Sequence, residues 1–522
     1  MRFCTLTLGC KVNQYETQAM ESLLISRGHT KTEPGSGCDV CVINTCAVTS
    51  ESSRKSRQAV RRMRTKEPDA LIAVCGCMTQ LEPELRDRLG ADLTGGSGGR
   101  REFTLEIERL WEARQAGGFE NPQPPGGFGE PQPSGGFEEP QPPNGFGEPQ
   151  PSGGFGEPQP SGGFMKLQPP GGFGEPQPSG GFEEPQPSGG FENPQPPNGF
   201  EELPPGSSSG RTRALLKIQD GCDNFCTYCV IPFARGRVRS LPPLMAAEYA
   251  LLLAKQGYRE IVITGIEISS YGKDLAQNIA LPDVVSLIAD AAKGVRIRLS
   301  SLDPGFVTKE FCDALAAIPD LCGHFHLSLQ SGCDDTLRRM GRKYDTRAVK
   351  ESIELLRTRF PNCGITSDLI TGFPGETSGE FEQTMEFITA AEFSGMHIFP
   401  FSPRPGTGAA VMQGQVAKNI RIERAGMASS VAETMAEAFR QKQIGNTLSV
   451  LFEREKAGAI IGHSENYIEV AVKKTSTLNG KTSIGVVSGE SGGEQGKSIT
   501  RNSIHSVQIN AVDKGFVWAE IV

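Results

Sequence analysis

The strongest chemical signal in this chain of 522 residues comes from three thiols set close together. Cys222, Cys226 and Cys229 follow a short apolar run, Ala214 to Ile218, that reads as a buried strand. A CxxxCxxC spacing lets one loop place three sulfurs on three corners of a cubic iron-sulfur cluster, leaving the fourth iron open to a ligand. Zinc is the rival occupant, but it favours paired CxxC units and four protein ligands.

A second trio is spread more widely. Phe3 to Leu8 leads to Cys10, Val40 to Ile43 leads to Cys46, and Leu71 to Val74 leads to Cys77. Helical patterns from Tyr15 to Ser26 and Ser50 to Arg64 separate these runs, as in successive β-α-β units. Ligands of an open parallel sheet bind beyond the carboxyl ends of its strands, so the three thiols would meet on one edge. Spacing alone leaves open whether they bind a metal or only pack. Cys4, Cys41 and Cys75 fall in or beside the apolar runs and are expected to pack as small hydrophobes. Cys38 and Cys41 form a CxxC, for which packing is also the better reading.

The CxxxCxxC spacing, with Tyr228 before its last cysteine, resembles that of the radical S-adenosylmethionine (SAM) enzymes, in which SAM chelates the open iron. The segments Leu8 to Glu16, Asn44 to Thr49 and Gly76 to Gln80 resemble the three cysteine motifs of the methylthiotransferases. That resemblance implies an auxiliary cluster on Cys10, Cys46 and Cys77, and hence two [4Fe-4S] clusters with SAM. Segments Cys10 to Gln14 and Ser269 to Lys273 look most like the bacterial group acting on N6-threonylcarbamoyladenosine in tRNA.

Apolar strands alternating with helical patterns continue at Ile261 to Ile263, Val295 to Leu299, His324 to Leu329, Gly364 to Ile370 and Gly395 to Phe399. With Ala214 to Ile218 they suit an incomplete (β/α)6 barrel of TIM type, whose chemistry sits at the strands' carboxyl ends. By resemblance the SAM contacts there are Tyr228, Gly265, Glu267, Ser300, Gln330, Asp368 and Gly372. The Gly372-Phe373-Pro374-Gly375-Glu376 segment matches the family well, and its glycines are expected to admit a ligand against the backbone. His324 and His326, alternating on one strand, are expected to pack or hydrogen bond inside the barrel rather than bind metal.

The helix after Cys46 carries Arg54, Lys55, Arg57, Arg61, Arg62, Arg64 and Lys66 with no acidic residue among them. Such a run is usually a solvated face, but near a tRNA-modifying centre it offers Arg57 and Arg61 as phosphate contacts. Arg235, Arg237 and Arg239 could be salt-bridge partners or touch substrate phosphate, with Arg235 and Arg237 the candidate RNA contacts.

Four regions follow: an open parallel α/β domain (1–105), a linker (117–205), the radical SAM barrel (208–440) and a small antiparallel β-barrel (446–522). The linker repeats every nine residues from Gly117 to Pro197, too rich in Pro and Gly for helix or sheet. Lengthening a connector from about 10 to about 90 residues adds only roughly 2 kcal/mol of closure entropy, so domain docking survives it. The last region holds short runs at Leu448 to Phe452, Ala459 to Gly462, Tyr467 to Val472, Ser483 to Val487, Ile504 to Ile509 and Phe516 to Ile521. By position it resembles the TRAM domain, an RNA-binding barrel.

The whole is identified as a radical SAM methylthiotransferase acting on tRNA. The resemblance implies reductive cleavage of SAM, hydrogen removal from adenine C2 and methylthio transfer there. Partners would be tRNA and a reductant such as flavodoxin or ferredoxin. Alternatives are isopentenyladenosine or a ribosomal-protein aspartate as target, or a non-catalytic electron carrier or RNA-binding module. A charge of -8 excludes a broadly cationic protein, so nucleic acid must be met by local patches. Fourteen cysteines in a long chain suit reduced thiols in a cytoplasm. The start, Met1 to Leu6, reads as a strand rather than a signal peptide, and no apolar run nears the roughly 20 residues that span a bilayer.

Overall fold

A computed structural model describes residues 1–116, 199–206, 211–277, 279–473, 499–513 and 516–522. Nearly all of the expected linker (117–205), with its whole nonapeptide repeat, and the strand expected at Ser483 to Val487 lie outside the described residues.

The amino-terminal region contains β1 (Arg2–Thr7), α1 (Lys11–Ser26), β2 (Thr30–Lys31), β3 (Val40–Thr45), α2 (Ser50–Lys66), β4 (Leu71–Gly76), α3 (Cys77–Leu81), α4 (Leu85–Leu89), β5 (Leu93–Thr94) and α5 (Arg100–Gln115). The sheet is parallel throughout, in the order β2-β1-β3-β4-β5. Its central strands β3 and β4 are buried at every position, as unbroken apolar runs covered on both faces should be. Alternation divides their side chains. Ile43, Ile72 and Val74 meet Val60 and Met63 of α2, while Val42 and Ala73 meet Met20 and Leu24 of α1 and Phe103 of α5. Helix α5 carries the region past its expected edge at 105 to Gln115.

The second region runs through β6 (Arg213–Lys217), β7 (Gln219–Asp220), α6 (Ile231–Arg235), β8 (Arg239–Ser240), α7 (Pro243–Lys255), β9 (Glu260–Thr264), α8 (Leu281–Ala291), β10 (Arg296–Leu299), β11 (Ser301–Leu302) and α9 (Lys309–Ala316). It continues with β12 (His324–Gln330), α10 (Asp334–Arg339), α11 (Thr346–Arg359), β13 (Gly364–Thr371), α12 (Ser378–Ala391), β14 (Gly395–Pro400), α13 (Gly408–Val411) and α14 (Lys418–Gln441). All six expected barrel strands form. With the short β11 they make two parallel sheets, β6-β9-β10 and β11-β12-β13-β14, bridged where Ile297 meets Leu321. Among the described residues the outer strands β6 and β14 do not pair, so the barrel is an open arc.

Helix α1 fills part of that opening. On β6, Ala214 and Leu216 face the outer helices. Leu215 faces inward and, with Val262 of β9, packs on Tyr15 and Ala19 of α1. The amino-terminal region therefore lines the inner wall of the arc.

The last region comprises β15 (Thr447–Lys456), β16 (Ala459–Ser464), β17 (Glu469–Lys473), β18 (Ile504–Asp513) and β19 (Phe516–Ile521), closed in the order β15-β16-β17-β19-β18. The expectation of a wholly antiparallel barrel needs correcting, because β17 and β19 run parallel. Five strands cannot alternate direction all the way round a ring, so one neighbouring pair must be parallel. Tyr467, expected to begin a strand, lies instead in the turn before β17 with φ +69°. This barrel seals the amino end of the arc, where Arg296 donates to the Ser449 carbonyl at 2.9 Å and Arg298 to the Glu465 carbonyl at 3.0 Å.

Candidate active site

The local trio sits on the loop between β7 and α6. The Cys222 N–H donates to Gly236 O at 3.0 Å and the Cys229 N–H to Cys226 O at 2.9 Å. Thr227 fastens the loop to the end of α10 through Met340 O and Arg339 O, at 3.0 and 2.9 Å. Burial pushes the Cys222 thiol up to about 12, with Glu267 adding to it. Burial, then Cys226, pushes Cys229 up to about 12. Cys226 adds to the rise at both, and a cluster bound by the three thiols would take their protons. Arg342 Nη1 stands 3.3 Å from Cys226 Sγ, where it would offset a thiolate.

The expected SAM contacts divide. Glu267 lies at the carboxyl end of β9, and burial, followed by Asp303, raises its carboxyl to about 7. Its backbone N–H donates to Gln219 Oε1 at 2.8 Å, and Asn224 of the cysteine loop reaches its carboxylate at 3.5 Å. Asp303 bonds Arg342 at 3.1 Å, so Glu267, Asp303, Arg342 and Cys226 form one string around the loop. Gly265 lies over Gln219, Ser300 is buried with its N–H on Ile263 O at 3.0 Å, and Gln330 ends β12 with φ +68°. A non-glycine residue held in the left-handed region is uncommon and gathers at functional sites. Asp368 bonds His326 at 3.2 Å inside the arc. Tyr228 packs against Phe373, Phe401 and Met340.

Gly372 is a correction. The room above it is taken by Arg421 rather than left for a ligand, since a Cβ there would lie 2.3 Å from Arg421 Cγ. Its N–H is capped by Glu376 at 2.9 Å, and Arg424 holds Glu376 at 2.7 Å. His324 and His326 both reach Thr366 Oγ1, at 3.1 and 2.9 Å, as side chains hydrogen bonding inside a barrel do.

The dispersed trio stands at the carboxyl ends of three neighbouring strands. The register pairs Thr7 with Asn44 and Asn44 with Cys75, which puts Cys46 and Cys77 just beyond β3 and β4 and Cys10 at the head of α1. Asn13 ties this edge together, donating to Leu8 O at 2.8 Å and Thr45 O at 2.9 Å. Burial lifts Cys77 to about 11; Arg235 opposes the rise, and Cys10 and Cys46 add to it. Burial also raises Cys46. Cys4, Cys41 and Cys75 are fully buried, as expected of packing residues. Among the described residues no three His, Cys, Asp or Glu side chains close into a cage for a single metal ion.

The two trios flank one interface, because α3, which begins at Cys77, packs on α6. A buried charge network crosses it. Glu16 of α1 binds Arg100 at 3.0 Å, Lys217 at 2.9 Å and Arg235 at 2.8 Å, while Asp220 binds Lys217 at 2.6 Å and Arg235 at 3.1 Å. Burial alone would raise the Glu16 carboxyl, but Arg235, Lys217 and Arg100 hold it well below the ordinary range. The expectation that Arg235 contacts RNA is therefore corrected: it is 0% exposed. Gly236, with φ +75°, turns the chain after α6, so Arg235 and Arg239 point in toward Asp220 while Arg237 stays exposed beside Asp223 and Phe225. On α2, Arg61 and Arg62 are exposed, whereas Arg57 stands 3.9 Å from Glu82. Sequence reasoning missed Arg342, whose thiol partner lies 116 residues away, and only Gly341 beside it hinted at a turn.

An open parallel arc with three clustered thiols beyond its first strand defines a radical SAM enzyme, and residues 216–388 match the radical SAM superfamily. Residues 2–93 match a second family, described as uncharacterized protein family UPF0004. The chain belongs to the tRNA methylthiotransferases. One similar relative is threonylcarbamoyladenosine tRNA methylthiotransferase MtaB of Bacillus subtilis (strain 168), 32% identical over 91% of this chain and 91% of its own length. The enzyme of the same name from Thermotoga maritima is 32% identical over 89% of each chain. A tRNA-2-methylthio-N(6)-dimethylallyladenosine synthase of Pelotomaculum thermopropionicum is 27% identical over 92% of this chain and 93% of its own.

Proposed function

We propose that this enzyme adds a methylthio group to C2 of N6-threonylcarbamoyladenosine beside the anticodon of tRNA. The reading is supported by the packing of α3, which begins at Cys77, on α6, which follows Cys229, so that one substrate pocket would lie between the two trios. The names of the two 32% identical relatives favour this target over the dimethylallyl one. Cys222, Cys226 and Cys229 would hold a four-iron cluster with SAM, and Cys10, Cys46 and Cys77 an auxiliary one. When bound, these groups supply reductive cleavage of SAM, abstraction of hydrogen from an unactivated C–H bond, and the sulfur and methyl to be transferred.

The chain's own residues supply binding, orientation and charge. Arg342 would offset the charge of the Cys226 sulfur, and Glu267 and Asp303 give an acidic edge for the SAM amino group. Asp368 and Gln330 line the arc beneath it. Exposed Arg61 and Arg237 would take tRNA phosphates, and the terminal barrel would act as a TRAM-like RNA-binding domain. A reductant such as flavodoxin or ferredoxin would deliver electrons in the cytoplasm. Among the described residues no helix is long and apolar enough to cross a membrane.

The test is anaerobic reconstitution with SAM, dithionite and tRNA, followed by nucleoside mass spectrometry. A methylthio mass increase on threonylcarbamoyladenosine, absent in Cys226→Ala, is the expected result. The same increase on dimethylallyladenosine instead would move the target and keep the chemistry.

A further inference from the structure

Ser402 to Ala409, the segment that leads from β14 into α13, is fastened beside both trios. At one end Ser50, at the head of α2 and just past Cys46, donates its N–H to Ser402 Oγ at 3.2 Å and its hydroxyl to Pro403 O at 3.0 Å. At the other end the Ala409 N–H donates at 2.7 Å to the carbonyl of Thr227, which lies between Cys226 and Cys229. A turn fixes the middle, where the N–H and hydroxyl of Thr407 both donate to Arg404 O, at 3.1 and 2.8 Å.

Arg404 is 7% exposed, and its Nε is buried without an acceptor. Among the described residues the other buried arginines each have a carboxylate: Glu16 for Arg100 and Arg235, Asp220 for Arg239, Glu260 for Arg296 and Arg298, and Glu376 for Arg424. The Arg404 side chain alone of these makes no hydrogen bond or ion pair within them. The nearby acids are engaged elsewhere, Glu51 by Arg54 at 2.5 Å and Glu82 by Arg57 at 3.9 Å. Ser53, in the first turn of α2, also buries a hydroxyl that has no partner. A guanidinium cannot shed its proton to escape the cost of burial, so what this place lacks is an anion.

The head of a helix and the fork of an arginine both suit the oxygens of a phosphate. Ser50, Pro405 and Gly406 around Arg404 are exposed, so the guanidinium lies just under the rim. An enzyme that works on a carbon of a base must bring that base out of its stack and into a pocket, and the phosphates on either side of the nucleotide then stop at the rim. We propose that Arg404, with the head of α2, receives a phosphate next to the target nucleotide and so sets how far the base enters between the two trios. This deepens the function proposed above and rests on its tRNA substrate, but not on which N6 group the adenosine carries.

The experiment measures binding of the anaerobically reconstituted full chain to an anticodon stem-loop RNA carrying threonylcarbamoyladenosine, as wild type, Arg404→Gln and Arg404→Lys. Three RNAs are compared: one with an ordinary backbone, and two in which the phosphate 5′ or 3′ to that adenosine is an uncharged methylphosphonate. Wild type is expected to lose about tenfold in affinity for one of the two methylphosphonates. Arg404→Gln should lose as much on the ordinary RNA, become indifferent to that methylphosphonate, and lower the slope of log affinity against log salt by about 0.7–1. Arg404→Lys, which keeps the charge and loses the fork, should keep the slope and respond to the same methylphosphonate by less than wild type. It carries the comparison if low iron shows that Arg404→Gln does not fold. Dimethylallyladenosine RNA should give the same pattern, and a loss confined to threonylcarbamoyl RNA would assign Arg404 to its carboxylate and overturn the inference. So would a wild type that binds all three RNAs alike, or an Arg404→Gln protein of full iron content that keeps the wild-type response. A wild type without affinity for the stem-loop removes instead the tRNA reading on which the inference rests.

Discussion

The two thiol trios reach the same interface by opposite routes. Cys222, Cys226 and Cys229 sit in one loop whose own backbone bonds shape it. Cys10, Cys46 and Cys77 meet only after three strands have paired in register. Two glycines show how tight the second arrangement is. A Cβ on Gly9 would lie 2.9 Å from Cys46 Cβ, and one on Gly76 would lie 2.4 Å from Thr45 O, both at positive φ. A local site is written in a few consecutive residues, whereas a dispersed one is only as secure as the tertiary contacts behind it.

The hardest test of that contrast removes one thiol from each trio. Cys226→Ala and Cys46→Ala should each lose roughly half the iron of reconstituted protein, since three thiolates are needed to hold a cluster. Cys226→Ala should also abolish formation of 5′-deoxyadenosine from SAM, while Cys46→Ala keeps it and loses methylthio product. Equal iron in wild type and Cys46→Ala would reduce the protein to a single-cluster enzyme.

Next in size is the support under the dispersed trio. Glu16→Ala leaves Arg100, Lys217 and Arg235 short of their shared carboxylate in a fully buried setting. Removing one partner of such a network destabilises by about 3–5 kcal/mol. Denaturant unfolding should show that loss, and iron should leave the Cys10, Cys46 and Cys77 site before the other. If both trios lose iron in step, the network supports the whole molecule rather than one site.

The same contrast decides what the sequence disclosed. The strands of both parallel layers were legible because covered strands read as apolar runs, and the trios were legible because each cysteine closes such a run or a short loop. Arg235 was misread because its carboxylate, Glu16, lies 219 residues away and because the turn at Gly236 is invisible in an apparent alternation of arginines. Arg342 gave no local sign, since what marks it is the company it keeps after folding. Gly372 misled differently: glycine announces close approach, but sequence does not say whether a ligand or Arg421 does the approaching.

Glu267 offers a smaller, pH-dependent probe of the local trio. Burial and Asp303 lift its carboxyl from 4.5 to about 7, so folding favours its protonated form. That contribution is complete below the ordinary pKa and is lost as pH rises through about 7. Iron-free wild type should therefore lose stability between pH 5 and 8 relative to Glu267→Gln, by on the order of 1–3 kcal/mol after allowance for solvent screening. Parallel melting curves for the two proteins across that range would remove the acidic edge from the argument.

The smallest effect separates the arginines that face solvent from the one that crosses the interface. Arg61 is exposed on α2, so its loss should leave folding and iron content intact. If it meets a phosphate, Arg61→Ala weakens tRNA binding by less than about 1 kcal/mol and lowers the slope of log affinity against log salt by about 1. Arg57 shares its charge with Glu82 at 3.9 Å and should give less. Arg235→Ala should do the reverse, leaving the salt slope unchanged in whatever protein folds while lowering stability. An unchanged slope in Arg61→Ala would assign α2 to solvent and move the search for phosphate contacts to Arg237 and the terminal barrel.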